Sequence, residues 1–135
     1  MQSYILILDS NEFLIGLLDK KSASGKLLDI LEEFTILVSE IILEEVKENL
    51  KLKSKVLNAF LELVYSGFFK TIQDAPAEEL VKKYSSSLKK ADALIAAYCE
   101  WLEVDFLISE NRHFLKGFRP RKFKVRKAED FLKLF

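Results

Sequence analysis

Four polar residues stand where the apolar pattern changes, and together they define the chemistry open to this chain. Asp9 closes the run Tyr4-Ile5-Leu6-Ile7-Leu8 and is followed at once by Ser10 and Asn11. Asn111 follows Val104-Asp105-Phe106-Leu107-Ile108, behind Ser109 and Glu110. Asp92 lies in the first turns of an amphipathic stretch, beside Leu88, Ile95 and Ala96, and Glu45 lies on another, nearer its apolar stripe than Glu44. Carboxylates brought together repel one another, and their pKa values rise unless a cation neutralises them. Oxygen ligands of this kind suit Mg²⁺ or Mn²⁺. Such an ion lowers the pKa of a bound water and offsets the negative charge that builds up in phosphodiester cleavage. Each residue also has a plainer reading. Asp9 or Ser10 can cap the next helix, and Asp92 can complement a helix dipole. Glu45 can be a solvated helix residue, and Asn111 can occupy a turn at positive φ.

The elements that would position these residues alternate. Short apolar runs at Tyr4–Leu8, Phe34–Val38, Phe68–Ile72, Val104–Ile108 and Lys122–Arg126 read as strands. The first is uninterrupted, the pattern of a strand buried on both faces; the third is short and carries Lys70, the pattern of an edge. Between them the spacing predicts helices over Glu12–Leu18, Gly25–Glu33, Glu40–Leu50, Lys51–Tyr65 and Leu88–Leu102. Ser39 is expected to cap the third of these, and the Ser85-Ser86-Ser87 run the last. Another helix starts near Asp74-Ala75-Pro76, with proline in its first turn. A short turn or helix to Gly117 and a short C-terminal helix complete the set. Strands alternating with helices favour parallel pairing through right-handed crossovers. In such open sheets ligands collect beyond the C-terminal ends of the strands, which is where Asp9 and Asn111 lie.

Composition narrows the function further. At 135 residues, half of them hydrophobic and eleven of them Phe, the chain is expected to form one domain over 1–135 with a filled core. No apolar run reaches the roughly 20 residues of a membrane span, and no secretory signal pattern is seen. One cysteine excludes an internal disulfide framework and suits the cytoplasm. Cys99 has no Cys/His partner set for zinc. The four glycines form no P-loop and no G-x-G-x-x-G pattern, against a nucleotide cofactor. Net charge is zero, so any nucleic-acid contact has to be local. Seven cations do fall within the twelve residues from Lys116 to Lys127, interleaved with Phe118 and Phe123. Arg112, Lys116, Arg119, Arg121 and Lys122 are therefore candidate RNA-phosphate contacts. A solvated strand edge is the alternative. Strand alternation would turn Phe123 inward, away from bases.

Leu8-Asp9-Ser10-Asn11, Ile42-Leu43-Glu44-Glu45-Val46, Lys90-Ala91-Asp92-Ala93-Leu94-Ile95-Ala96-Ala97 and Leu107-Ile108-Ser109-Glu110-Asn111-Arg112-His113-Phe114 occur in that order at domain-length spacing. In this the chain resembles the PIN-domain nucleases, including the VapC-like toxins of toxin–antitoxin pairs, from Ile5 to about Phe123. The resemblance implies a PIN-like three-layer α/β/α domain with a central, mostly parallel sheet of four to five strands. It implies a Mg²⁺- or Mn²⁺-dependent endoribonuclease whose catalytic and metal-holding set is Asp9, Glu45, Asp92 and Asn111. Ser10, Asn11 and Ser109 would support that set. The implied partners are RNA, an antitoxin protein and a second copy of the chain, with no membrane. At the last motif the sequence departs from the family, which commonly has Asp where Asn111 and His113 stand. An amide oxygen can still meet a metal or its water, but it brings no charge. That departure motivates an alternative: a catalytically degenerate PIN domain that binds RNA or protein.

Overall fold

The computed structural model describes residues 3–134, so residues 1, 2 and 135 of the expected domain lie outside the described residues. Its centre is one five-stranded sheet in the order β3-β2-β1-β4-β5, with β1 Ile5–Leu8, β2 Thr35–Ser39, β3 Phe69–Ile72, β4 Phe106–Ile108 and β5 Lys124–Arg126. Every neighbouring pair is parallel, where the sequence led us to expect a mostly parallel sheet. The three central strands are buried on both faces: Leu6, Ile7, Leu8, Ile36, Val38, Leu107 and Ile108 are each at most 1% exposed. That is why they read as unbroken apolar runs. The edges carry the exposed Lys70, Thr71 and Lys124, and their charges discourage strand-to-strand association.

The helices are α1 Ser10–Leu18, α2 Ala23–Leu28, α3 Glu40–Leu50, α4 Ser54–Tyr65, α5 Glu78–Ser85, α6 Lys90–Trp101, α7 Arg112–Leu115 and α8 Ala128–Leu132. Right-handed crossovers from β1 to β2 to β3 put α1–α4 on one face, and the return from β3 to β4 puts α5 and α6 on the other. On the first face Phe13 of α1 is fully buried, with ring edges against Phe60 of α4 and Phe69 of β3. Truncating such a residue to alanine costs about 3–5 kcal/mol, so this packing fixes the helix that Asp9 introduces. Helix α6 is buried almost all round, at Ala93 and Ile95–Cys99, and its early turns lie at the C-terminal edge of the sheet.

Several element bounds differ from the sequence reading for local reasons. The helix expected over Gly25–Glu33 starts at Ala23, because the Ser22 side chain accepts from Gly25 N at 3.0 Å. It stops at Leu28, and a separate 3-10 turn spans Leu31–Glu33 after Ile30 leaves helical geometry (φ −119°, ψ 19°). Residues 51–53 form a turn before α4. Pro76 precedes the N-cap Ala77 and is not in the first turn of α5. The Ser85–Ser87 run does not cap α6, whose N-cap is Lys89 without a side-chain cap bond. At the start of α6 Ala91 is exposed and Ala93 is in the core. Ser39 does cap α3, through Ile42 N.

Candidate active site at the C-terminal edge of the sheet

The chain winds from β1 outward through β2 and β3, then returns to β4 and proceeds to β5 on the other side. The strand order therefore reverses between β1 and β4, the place where such sheets open a crevice. Both strands end there in polar residues. Asp9 N donates to Ile108 O at 2.9 Å, and Ser109 N donates to Arg126 O at 3.0 Å, so the ends of β1, β4 and β5 are pinned together. Ser109 Oγ then donates to Asp9 Oδ2 at 2.7 Å, while Asp9 Oδ1 accepts from Ser10 N at 2.8 Å as the N-cap of α1. The capping role and a place in the polar cluster thus coexist in one carboxylate. Ser10 Oγ donates to Glu45 Oε2 and ties α3 to the start of α1.

Asp92, half-buried in the first turn of α6, accepts from Asn111 Nδ2 at 3.3 Å. Asn111 is itself the N-cap of α7, its Oδ1 accepting from His113 N at 2.9 Å. Because that oxygen must accept, the amide nitrogen faces Asp92. Asn111 φ is −72°, so the positive-φ alternative does not hold; Glu103, Gly67 and Gly117 adopt positive φ instead. Its backbone N donates to Ser109 Oγ at 3.0 Å, so one hydroxyl links Asp9 and Asn111.

Burial raises the pKa of Asp9. The hydrogen bonds from Ser109 and Ser10 N lower it, and the charges of Glu45 and Asp92 raise it again. Asp9, at the end of β1, thus senses the carboxylates of Glu45 on α3 and Asp92 on α6. Among the described residues, none of the three forms an ion pair with a Lys or Arg. Nor, among the described residues, do three His, Cys, Asp or Glu side chains gather tightly enough to hold a metal ion between them. Asn11 departs from its expected supporting role: it is exposed, and among the described residues its side chain makes no hydrogen bond. Being the second residue of α1, it points away from the strand ends, and Ser109 supplies the support from β4.

Glu12 was not among the sequence candidates. It is completely buried, and Ser24 Oγ of α2 donates to its Oε2 at 2.5 Å. Its Oε1 has no donor among the described residues. The neighbouring carboxylate is Glu110, which accepts from Ala128 N of α8 at 3.1 Å and could accept a proton held by Glu12. Burial, a hydrogen bond to Glu110 and the nearby charges of Glu110 and Asp9 push the Glu12 pKa up to about 9, against the Ser24 hydrogen bond. A signal existed in the sequence. Gly16 lies one turn on, and a Cβ there would come within 2.9 Å of Ser24 O. A glycine at i+4 marks the helix face that α2 approaches, and Glu12 shares that face.

The candidate RNA contacts do not form one strip. Arg112 and Lys116 line one cavity with Lys89, whereas Arg119, Arg121 and Lys122 line the next. Phe123 is buried and Phe118 packs edge-on or tilted against Tyr84, Phe114 and Phe123, so these rings belong to the core. His113 is exposed and Cys99 fully buried. No described helix is long and apolar enough to cross a membrane.

No family model matches the sequence, and no curated protein matches it. Solved structures do match the fold. A chain of VapBC2 from Rickettsia felis, bound to a DNA fragment from their promoter, superposes with a TM-score of 0.67 at 17% identity, covering 91% of this chain and 98% of that one. A chain of DNA-bound VapBC from Salmonella typhimurium gives 0.66 at 16% identity, covering 95% and 99%. The PIN domain of T. brucei RRP44 gives 0.58 at 11% identity, covering 97% and 81%. With the all-parallel 3-2-1-4-5 sheet and the polar strand ends at its reversal point, the chain has the PIN-domain fold.

Proposed function

We propose that the protein is a divalent-metal-dependent endoribonuclease, in which Asp9, Glu45 and Asp92 hold Mg²⁺ or Mn²⁺. One observation carries the reading: at the strand-order reversal Asp9 is held against the charges of Glu45 and Asp92, with no Lys or Arg paired to any of the three among the described residues. A carboxylate cluster without a counter-charge favours a cation. The donor set is all oxygen, which selects hard ions. Mg²⁺ keeps several waters and takes only one or two carboxylates. A cluster too open to encircle an ion directly therefore fits a hydrated one.

When bound, the ion would supply a water of lowered pKa and neutralise charge on the phosphorane oxygens. The protein's own contribution is position. Ser10 N and Ser109 Oγ hold both oxygens of Asp9, and Ser10 Oγ orients Glu45. Asn111 holds Asp92 by its amide nitrogen, and its Oδ1, which accepts from His113 N, would bring a neutral oxygen and no charge to a bound ion. On this reading RNA is the substrate and the protein acts in the cytoplasm as a homodimer; the likeness of fold to VapBC chains supports only the toxin–antitoxin context.

The test is cleavage of single-stranded RNA with Mg²⁺ or Mn²⁺ by wild type, Asp9→Asn and Asp92→Asn. Each variant is expected to lose about a hundredfold or more, the scale of several kcal/mol of charge stabilisation. Equal cleavage and equal metal titration in all three would sink the assignment. A second reading has its own observation: Asn111 brings no charge, and both ends of its amide are already engaged within the fold. A binding module that does not cut would give wild type without activity and with intact RNA affinity.

A further inference from the structure

The start of α6 carries Asp92 and the start of α7 is capped by Asn111, and beside both lies an open cavity of about 670 Å³. Lys89, Arg112 and Lys116 line it, with His113 and the Ser85–Ser87 turn. Arg112 is the residue after Asn111, and Lys89 is the N-cap of the helix that carries Asp92. One hydrogen bond, Asn111 Nδ2 to Asp92, therefore separates the acidic centre from the basic cavity.

Its cations are uncommitted. Among the described residues, Lys89, Arg112 and Lys116 form no ion pair, whereas Lys83, Lys51, Lys47 and Lys133 do. The three serines are not equivalent. Ser85 Oγ donates to Val81 O at 2.9 Å and Ser86 Oγ to Lys83 O at 3.1 Å, so both protons are engaged within α5. Ser87 keeps its hydroxyl proton, and it also lines the adjoining cavity of about 470 Å³, where Arg119, Arg121 and Lys122 lie. The first-turn amides of α6 add partial positive charge at the same end without a side-chain cap. Ser87 thus joins the two basic cavities, and the Asn111–Asp92 hydrogen bond joins the first of them to the acidic centre.

We propose that the cavity between Ser87–Lys89 and Arg112–Lys116 seats a backbone phosphate of the RNA strand flanking the bond to be cut. This rests on the RNA reading above and sharpens it. The strand is gripped by its phosphates: among the described residues no Phe, Tyr or Trp lines this cavity, Phe123 is buried, and Phe118, on the adjoining cavity, packs against Tyr84, Phe114 and Phe123. Recognition here is of charge spacing along a polymer, and a base is not read.

The measurement is fluorescence anisotropy of a labelled single-stranded oligouridine of about twelve nucleotides, a length in the range of single-strand sites, in EDTA so that binding is read without cleavage. The triple variant Lys89→Gln/Arg112→Gln/Lys116→Gln is compared with Lys20→Gln/Lys26→Gln/Lys55→Gln, which removes the same charge from exposed lysines of α2, α4 and the turn after α1. The cavity variant is expected to bind about tenfold more weakly at low salt, with a salt slope flatter by ~0.7 for each phosphate it no longer neutralises. The control is expected to change neither by more than about twofold. Equal weakening in both variants, or none in either, overturns the proposal. So does inorganic phosphate binding as tightly as the oligonucleotide, which would make this a free-anion site. Cleavage in Mg²⁺ is scored separately: binding that needs the cavity without any cleavage removes the nuclease reading alone, and cleavage with cavity-independent binding removes this one alone.

Discussion

Asp9 and Glu12 lie three residues apart at the start of α1, yet their carboxylates meet opposite environments. Asp9, itself only 5% exposed, lies at the reversal point of the sheet beside the exposed Glu45 and the half-buried Asp92, where it accepts from a hydroxyl and a backbone amide. Glu12 faces inward, sealed between α2 and the Glu110 carboxylate, with a single hydroxyl donor. The same electrostatic problem, acids crowded in low dielectric, has two solutions. Where the neighbouring acids reach solvent, as Glu45 and Asp92 do, the cluster can stay ionised and recruit a cation. Where the acid is completely buried, as Glu12 is, it favours its protonated form beside the other. The proton on Glu12 then joins three elements, because Glu110 also caps the start of α8 and Ser24 belongs to α2.

The sealed side gives the largest expected effect. Glu12 ionises near 4.5 when unfolded and near about 9 when folded. Between those values the folded state holds a proton that the unfolded state releases, so stability falls as pH rises. The decline is up to about 1.4 kcal/mol per pH unit at its steepest, and the contribution is fully present only below about pH 4.5. Glu12→Gln keeps an acceptor for Ser24 and a donor for Glu110 but cannot ionise. In thermal unfolding from about pH 5 to 9, wild type is expected to lose stability along this slope, and the variant to lose much less and to be the more stable protein at about pH 8. Parallel pH profiles for the two would show that Glu12 is ionised in the fold, and the contrast with Asp9 would collapse.

The open side is probed by changing its charge. Asn111→Asp retains an oxygen to accept from His113 N, so α7 keeps its cap, but the donor to Asp92 is replaced by a fourth negative charge. Mg²⁺ affinity by calorimetry is expected to rise about tenfold, ~1.4 kcal/mol, with cleavage rising alongside, while thermal stability without metal falls. An inactive wild type that gains cleavage on this change would identify a degenerate centre. Unchanged affinity would show that position 111 lies outside the reach of the ion.

What could be read from the sequence follows the same division. The parallel sheet was legible because β1, β2 and β4 are buried on both faces, and burial on both faces leaves an unbroken apolar run. Asp9, Glu45 and Asp92 were legible because polar residues at strand ends and on stripe edges break that pattern. Glu12 escaped because a charged residue beside an apolar stripe ordinarily faces water; only the close approach of α2 at Gly16 makes its face an interior one. Asn11 was misplaced for a related reason. Adjacency in sequence to Asp9 is not adjacency in space, since α1 begins at Ser10 and turns Asn11 outward, whereas Ser109 arrives from 100 residues away. The helix bounds around Ser22 and Ser87 moved because a serine run does not say which hydroxyl accepts from the helix amides. In one case it was the first, in the other none.

Ser109 gives the smallest expected effect and tests how tightly the open cluster is tuned. Its hydroxyl donates to Asp9 and accepts from Asn111 N, so Ser109→Ala removes one link between the two halves of the site. The hydrogen bond to Asp9 lowers that group's pKa against burial, so removing it moves the pKa further up. Ligand carboxylates must be deprotonated to take a metal. The midpoint of Mg²⁺ or Mn²⁺ binding against pH is therefore expected to shift upward by roughly one unit, the weight of a hydrogen bond worth about 1.5 kcal/mol to a charged group. Stability at neutral pH should change by a similar amount. An unshifted midpoint with the same drop in stability would confine Ser109 to packing and leave Ser10 N as the principal hydrogen bond holding Asp9 ionised.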